Sequence, residues 1–243
     1  MDGVSSPDER ICDLVTRESV IRRVAAAIRA VERPHPIRVA VDGIGVAGKT
    51  VFADELGREI ERNGRTAVRV SIDGFHNPAL VRRRQGDRSP LGYYEDSFDY
   101  DAFVRHVLGP LGPGGSRRVI RAVYDFRTDS PVESTEELVP MDGVAVCDGI
   151  FLLRPELNGH WDFRVFLDVS FEAALERAQT RDLELFGSEA AVRERYRSRY
   201  IPGEQHYLNV VDPAHRADVV IGNNDFLNPR VRWCSKGNRE ENE

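Results

Sequence analysis

Residues 43 to 50 read Gly43-Ile44-Gly45-Val46-Ala47-Gly48-Lys49-Thr50, and these residue types at this spacing suit the binding of a nucleotide's phosphates. Glycines let consecutive backbone N–H groups turn inward on phosphate oxygens. Lys49 is spaced to reach the β and γ phosphates, and the Thr50 hydroxyl can ligate Mg²⁺. The candidate donor-binding set is therefore Gly43, Gly45, Val46, Ala47, Gly48, Lys49 and Thr50, with Thr50 also a metal ligand. Two carboxylates stand where they could work with this loop. Asp73 ends the β-branched run 66–72 and opens Asp73-Gly74-Phe75-His76; an acidic residue at the carboxyl end of a parallel strand lies where ligands bind in open α/β sheets. A plain turn cap, which Asp-Gly often is, competes with that role. Asp148 is the single carboxylate in the apolar run 144–151, the pattern of a buried central strand with a Mg²⁺-facing acid.

The elements that must hold these residues follow from the flanks. Residues 37–41 form a short β-branched run ending at Asp42, and beyond the loop Phe52, Leu56 and Ile60 recur every fourth residue until Asn63-Gly64 supplies a helix stop. Strand, glycine loop and amphipathic helix is the order that a phosphate loop requires. Further strands are expected at 119–124, 163–169 and 217–221. A helix over 171–181 carries Arg177 and Arg181 one turn apart, and another over 188–200 carries Arg193, Arg195, Arg197 and Arg199, which reads as a lid or as a solvated charged face. The stretch 77–118 is far longer than a crossover needs and holds Arg82-Arg83-Arg84, Tyr93-Tyr94-Glu95-Asp96 and a helix near 101–108, a suitable place to hold an acceptor. Ahead of the loop, Ile11, Leu14, Val15, Val20, Ile21, Val24, Ile28 and Val31 fit one helix face whose role is packing. The expected layout is an N-terminal helical extension at 1–33, a domain at 34–228 with an insertion at 77–118 and a lid at 177–203, and a polar tail at 229–243.

With 243 residues and a formal net charge of −6, the chain can bury a sizeable core and lacks the basic excess of a nucleic-acid binder. No apolar run reaches the roughly 18 residues of a membrane span, and the first residues contain no signal-peptide core, so no membrane association and a cytoplasmic location are expected. Cys12, Cys147 and Cys234 show no CxxC spacing and the six histidines no HExxH pattern, which points to free thiols and no transition metal.

Together with the loop, the segments Asp73-Gly74-Phe75-His76, Tyr124-Asp125-Phe126, Asp148-Gly149-Ile150 and Arg177-x-x-x-Arg181-Asp182 make residues 36–225 resemble the uridine kinase family of P-loop kinases. The wider group includes phosphoribulokinase and bacterial pantothenate kinase. The resemblance implies an α/β, three-layer P-loop NTPase fold with a central, mainly parallel five-stranded sheet and a helical lid. It also implies ATP and Mg²⁺, phosphoryl transfer to a hydroxyl of a small molecule, and a homo-oligomer. Carried over by position, Asp73 is the catalytic carboxylate, Lys49 and Arg181 are catalytic, and Arg177 and Arg181 contact ATP phosphates. Asp148 is the Mg²⁺ carboxylate, Glu95 or Asp96 holds the ribose hydroxyls, and Tyr124 lies near the base; His76 is also assigned to the acceptor. Asp129 stands where the family has a base-contacting histidine, and Gly187 and Arg195 replace a base-contacting Arg and Gln. The phosphate machinery matches and the uracil-reading set does not, which keeps a sugar or pantothenate-like acceptor open. A nucleotide switch is the reading from another class; Asn223-Asn224-Asp225 lacks the lysine of a guanine-reading motif.

Overall fold

The structure, a computed structural model, describes residues 16–234. The expected helical positions Ile11, Leu14 and Val15, together with Cys12, lie outside the described residues.

A six-stranded sheet forms the middle layer. Its strands are β1 (Ile37–Gly43), β2 (Ala67–Ser71), β3 (Val144–Asp148), β4 (Phe163–Asp168), β5 (Val219–Gly222) and β6 (Arg230–Trp233), in the spatial order β6-β5-β4-β1-β3-β2. All neighbours are parallel except β6, which runs antiparallel to β5. The expectation of five strands is thus corrected to six, and the expected polar tail from 229 begins with a strand. Its signal is weak because only Val231 of that strand is buried. In the central strands β1 and β3 every residue is buried, as a parallel sheet covered on both faces demands.

The main helices are α1 (Arg17–Arg29), α2 (Lys49–Arg62), α3 (Pro90–Asp96), α4 (Phe171–Arg181), α5 (Glu189–Arg195) and α6 (Ile201–Val211). One face of the sheet buries Val20, Val24 and Ile28 of α1 with Phe52 and Leu56 of α2. The other buries Phe75, Phe103, Leu152 and Trp161. α5 passes through a wider π turn at Tyr196–Tyr200 into α6, where Pro202 stands in the first turn and has no N–H to donate. The expected strand at 119–124 is instead split between two small ribbons: Arg118–Val119 pairs with Glu137–Leu138, and Tyr124–Asp125 with Ser130–Pro131. None of the helices is long and apolar enough to cross a membrane among the described residues.

Register decides what meets at the carboxyl edge of the sheet. Val41 lies opposite Asp148, and Ser71 lies opposite the same residue from the other side. The ends of β1, β3 and β2 therefore deliver Asp42, Asp148 and the turn carrying Asp73 to one edge, beside the N-terminus of α2.

Candidate functional site

The segment between β1 and α2 closes as a tight loop. Gly48 sits at φ +89° and caps α2, a conformation that costs glycine little. Val46 takes φ +59°, which is strained for a β-branched residue and persists only where surroundings impose it. Those surroundings are visible: the Asn223 side-chain amide donates to the Ala47 carbonyl at 2.8 Å, and Arg177 donates to the Val46 carbonyl at 3.5 Å. The Val46 and Ala47 carbonyls are held by these partners, the Gly43, Gly45 and Ala47 N–H groups donate to Asp42, Glu204 and the Ile44 carbonyl, and the first amides of α2 with the remaining loop amides suit an anion.

Lys49 donates to the Ile44 carbonyl at 2.6 Å. Burial pushes its pKa down, against the pull of Glu204, Asp42, Asp148 and Asp73. Four carboxylates from four parts of the chain thus share the field of one ammonium. Thr50 donates from its hydroxyl to Asp148 at 2.7 Å. The other Asp148 oxygen accepts from Arg69 at 2.8 Å, and Arg69 also binds Asp54 at 2.9 Å. A hydroxyl beside a buried carboxylate is an all-oxygen pair that fits Mg²⁺. No group of three or more His, Cys, Asp or Glu is arranged to hold a metal among the described residues. The remaining ligands would come from phosphates and water, as is usual for this ion.

The residues expected on the acceptor side divide into two groups. Asp73 keeps its carboxylate 62 % exposed, 4.0 Å from His76 Nδ1. That nitrogen also lies 2.9 Å from the Asp73 backbone carbonyl; a carbonyl only accepts, so Nδ1 carries the proton of that bond. Burial pushes the His76 pKa down. Its ring packs between Phe98 and Phe126, with centroids at 4.4 and 4.5 Å. Asp129, at φ +51°, accepts from Arg82 at 2.9 Å and from the Ala79 N–H at 2.9 Å. Tyr124 bonds to Asp129, and burial followed by that bond pushes its hydroxyl pKa up. His76, Tyr124 and Asp129 are thus brought together around Arg82, with Asp73 beside His76. Glu95 and Asp96 belong to a separate network on α3: Asp96 is buried and accepts from Arg84 at 2.5 Å and Gln85 at 2.9 Å, while exposed Glu95 accepts from Gln85 at 2.7 Å.

Of the arginines expected on a lid, Arg177 donates to the carbonyls of Asn223 and Asn224 at 2.7 and 2.9 Å. Arg181 pairs with Asp182 at 2.7 Å and also donates to the Tyr196 hydroxyl at 3.2 Å. Arg195 makes two bonds to Asp87, at 2.6 and 3.1 Å, and Arg199 reaches the Asp87 backbone carbonyl. Arg193 goes to Gln179 and Glu189, and Arg197 is exposed. Arg195 and Arg199 therefore tie the helical segment 189–200 to the stretch 77–118 at Asp87.

Three buried groups at the site were outside the sequence-derived set. Asp42 accepts from Tyr207 and, at 2.7 Å, from the Gly43 N–H; burial pushes its pKa up to about 6. Glu204, only 1 % exposed, accepts from the Gly45 N–H at 2.8 Å and from the Tyr93 hydroxyl at 3.3 Å. Burial pushes its carboxyl up to about 7, against the Gly45 amide and Lys49. Asn223 is fully buried beside the loop. Asp42 had a signal, as the polar end of an apolar strand; Glu204 and Asn223 had none, because their neighbours are remote in sequence.

No family model matches the chain. It is 28% identical over 189 residues to uridine-cytidine kinase B of Dictyostelium discoideum, covering 77% of this chain and 74% of that protein. The uridine kinase of Brevibacillus brevis is also 28% identical, over 202 residues, covering 82% and 83% of the two chains. The chain is related to the uridine kinases, and its fold is that of the P-loop kinases. A candidate uridine kinase from Bacillus stearothermophilus superposes with a TM-score of 0.65 at 20% identity, over 82% of this chain and 96% of that one, a likeness of fold.

Proposed function

We propose that this protein is an ATP-dependent kinase that transfers the γ-phosphoryl group to a hydroxyl of a small molecule, with a nucleoside as the foremost acceptor. The observation that carries this reading is the meeting of Lys49, the Thr50–Asp148 pair and Asp73 at one edge of the sheet. Phosphoryl transfer is largely positioning and charge stabilisation, and the chain's residues divide those tasks.

The loop amides and Lys49 hold the donor's phosphates. Thr50 and Asp148 hold Mg²⁺, which when bound neutralises charge on the transferring group. Asp73, exposed at the end of β2, accepts the proton of the acceptor hydroxyl and orients that oxygen. His76, Tyr124 and Asp129 line the acceptor side with Arg82. Glu95 is the better placed of the two carboxylates for ribose hydroxyls, since Asp96 is buried against Arg84. Arg177 supports the loop through its carbonyls, and Arg181 stands on the lid to meet developing negative charge. The cytoplasm is the proposed compartment.

A non-nucleoside alcohol is the second reading, favoured by one observation. The Asp129 carboxylate is engaged by Arg82, Ala79 and Tyr124, so the position does not offer the donor that a base-contacting histidine would.

A coupled assay of ADP release with uridine, cytidine, sugars and pantothenate tests both readings. Turnover that depends on uridine or cytidine is expected. Turnover only with a sugar or pantothenate selects the second reading, and hydrolysis indifferent to every acceptor would leave a nucleotide switch in place of a kinase.

A further inference from the structure

The first residue of α1 is an unusual one. Arg17 opens the helix beside the Thr16 cap, where the helix dipole disfavours a cation, yet it is only 8 % exposed. Burial pushes its pKa down and Glu55 pushes it back up. Its Nε donates to Glu55 of α2 at 2.6 Å and its Nη1 to Asn223 Oδ1 at 3.3 Å. The guanidinium carbon lies 3.7 Å from the centroid of the Phe226 ring, and the Arg17 backbone N–H donates to the Leu227 carbonyl at 3.2 Å. Both the α1 backbone and the Arg17 side chain are therefore docked on the segment that follows β5.

Asn223 is the junction between that segment and the phosphate loop. Its Oδ1 accepts from Arg17, and its Nδ2 donates to the Ala47 carbonyl at 2.8 Å. An asparagine amide can turn over with almost no change of shape, exchanging donor for acceptor. Arg17 offers only donors and the Ala47 carbonyl only accepts, so this pair of partners permits one orientation. In a planar trans peptide the C=O and the following N–H point to opposite sides. Holding the Ala47 carbonyl against Asn223 therefore aims the Gly48 N–H away from Asn223, toward the side on which phosphate oxygens bind.

We propose that Arg17 is a positioning residue for the phosphate loop, acting through Asn223 to hold the Ala47–Gly48 peptide in the orientation that presents the Gly48 N–H to the donor nucleotide. This rests on reading residues 43–50 as the nucleotide site. It gives α1 a task beyond the packing that its apolar face implies.

The test is equilibrium binding of ATP·Mg²⁺ by titration calorimetry, with Tm measured in parallel, for wild type, Arg17→Met, Arg17→Lys, Asn223→Ala and the Met/Ala double variant. Arg17→Met is expected to weaken binding roughly 10-fold, the scale of one hydrogen bond. Arg17→Lys keeps a donor for Asn223 and is expected to recover part of the loss; it is also the variant to read should Arg17→Met fail to fold. The double variant is expected to bind no worse than Asn223→Ala alone, because the two residues act in series. Variants that lose Tm but bind ATP·Mg²⁺ within about 2-fold of wild type, inside the non-additivity noted for independent sites, would reduce Arg17 to packing and overturn the proposal alone. Wild-type protein that binds no nucleotide would overturn both this proposal and the reading it rests on.

Discussion

Glu204→Gln offers the sharpest physical test of the site. The folded protein holds this carboxyl's pKa up to about 7 against an ordinary 4.5, chiefly by burial. The folded state therefore binds the Glu204 proton more tightly than the unfolded chain does. The stability this contributes is fully present below about pH 4.5 and is lost as pH rises through about 7. The whole difference corresponds to about 3 kcal/mol, of which about 2 kcal/mol falls between about pH 5.5 and 8. Glutamine keeps the shape and has no proton to lose. Asp42 is also pushed up, to about 6, but it is present in both proteins and cancels in the comparison. Urea unfolding of both proteins at the two pH values, followed by circular dichroism, measures the effect. The stability of the variant relative to wild type is expected to rise by about 2 kcal/mol from the lower pH to the higher. Parallel pH profiles would refute the reasoning, since they would mean that Lys49 and the Gly45 amide compensate the buried charge in full.

Asp73→Asn is expected to lower kcat by ~10²- to 10⁴-fold while ATP affinity is retained, as expected for a positioned acid–base group; steady-state kinetics with a direct ATP-binding measurement decide it, and near-wild-type turnover removes Asp73 from the chemistry. Thr50→Val removes the hydroxyl that lies 2.7 Å from Asp148 and is expected to raise the Mg²⁺ concentration for half-maximal activity by roughly 10-fold or more, read from a metal titration at fixed ATP. Gly74→Ala places a Cβ 2.7 Å from the Ala122 Cβ and 2.8 Å from the Arg121 carbonyl. It is expected to cost about 1–3 kcal/mol through overpacking against backbone, a fall in Tm of roughly 3–10 °C by calorimetry.

Much of the architecture was legible because it is written locally. A phosphate loop needs glycines, a lysine and a hydroxyl within eight residues, so residues 43–50 declare themselves. Doubly covered parallel strands must be apolar throughout, and β1 and β3 could be recognised for that reason. β6 escaped because an edge strand with arginines at 230 and 232 and one buried valine carries almost no hydrophobic signal. The ribbon segments 118–119 and 124–125 read as one strand because alternation within a chain does not reveal which partner each piece will pair with.

The sequence by itself determined the loop, most of the strands and helices of the central sheet, and the placement of Asp148 in a buried strand and Asp73 just beyond another, since each follows from residues that are neighbours along the chain. Only the tertiary structure decided that Glu204 meets the Gly45 amide 159 positions away, that Asp129 is engaged by Arg82, and that Arg17 reaches the loop through Asn223. Proton affinities of buried acids and the orientation of a side-chain amide depend on desolvation and on partners brought together through space. Those quantities come into being only when the chain has folded.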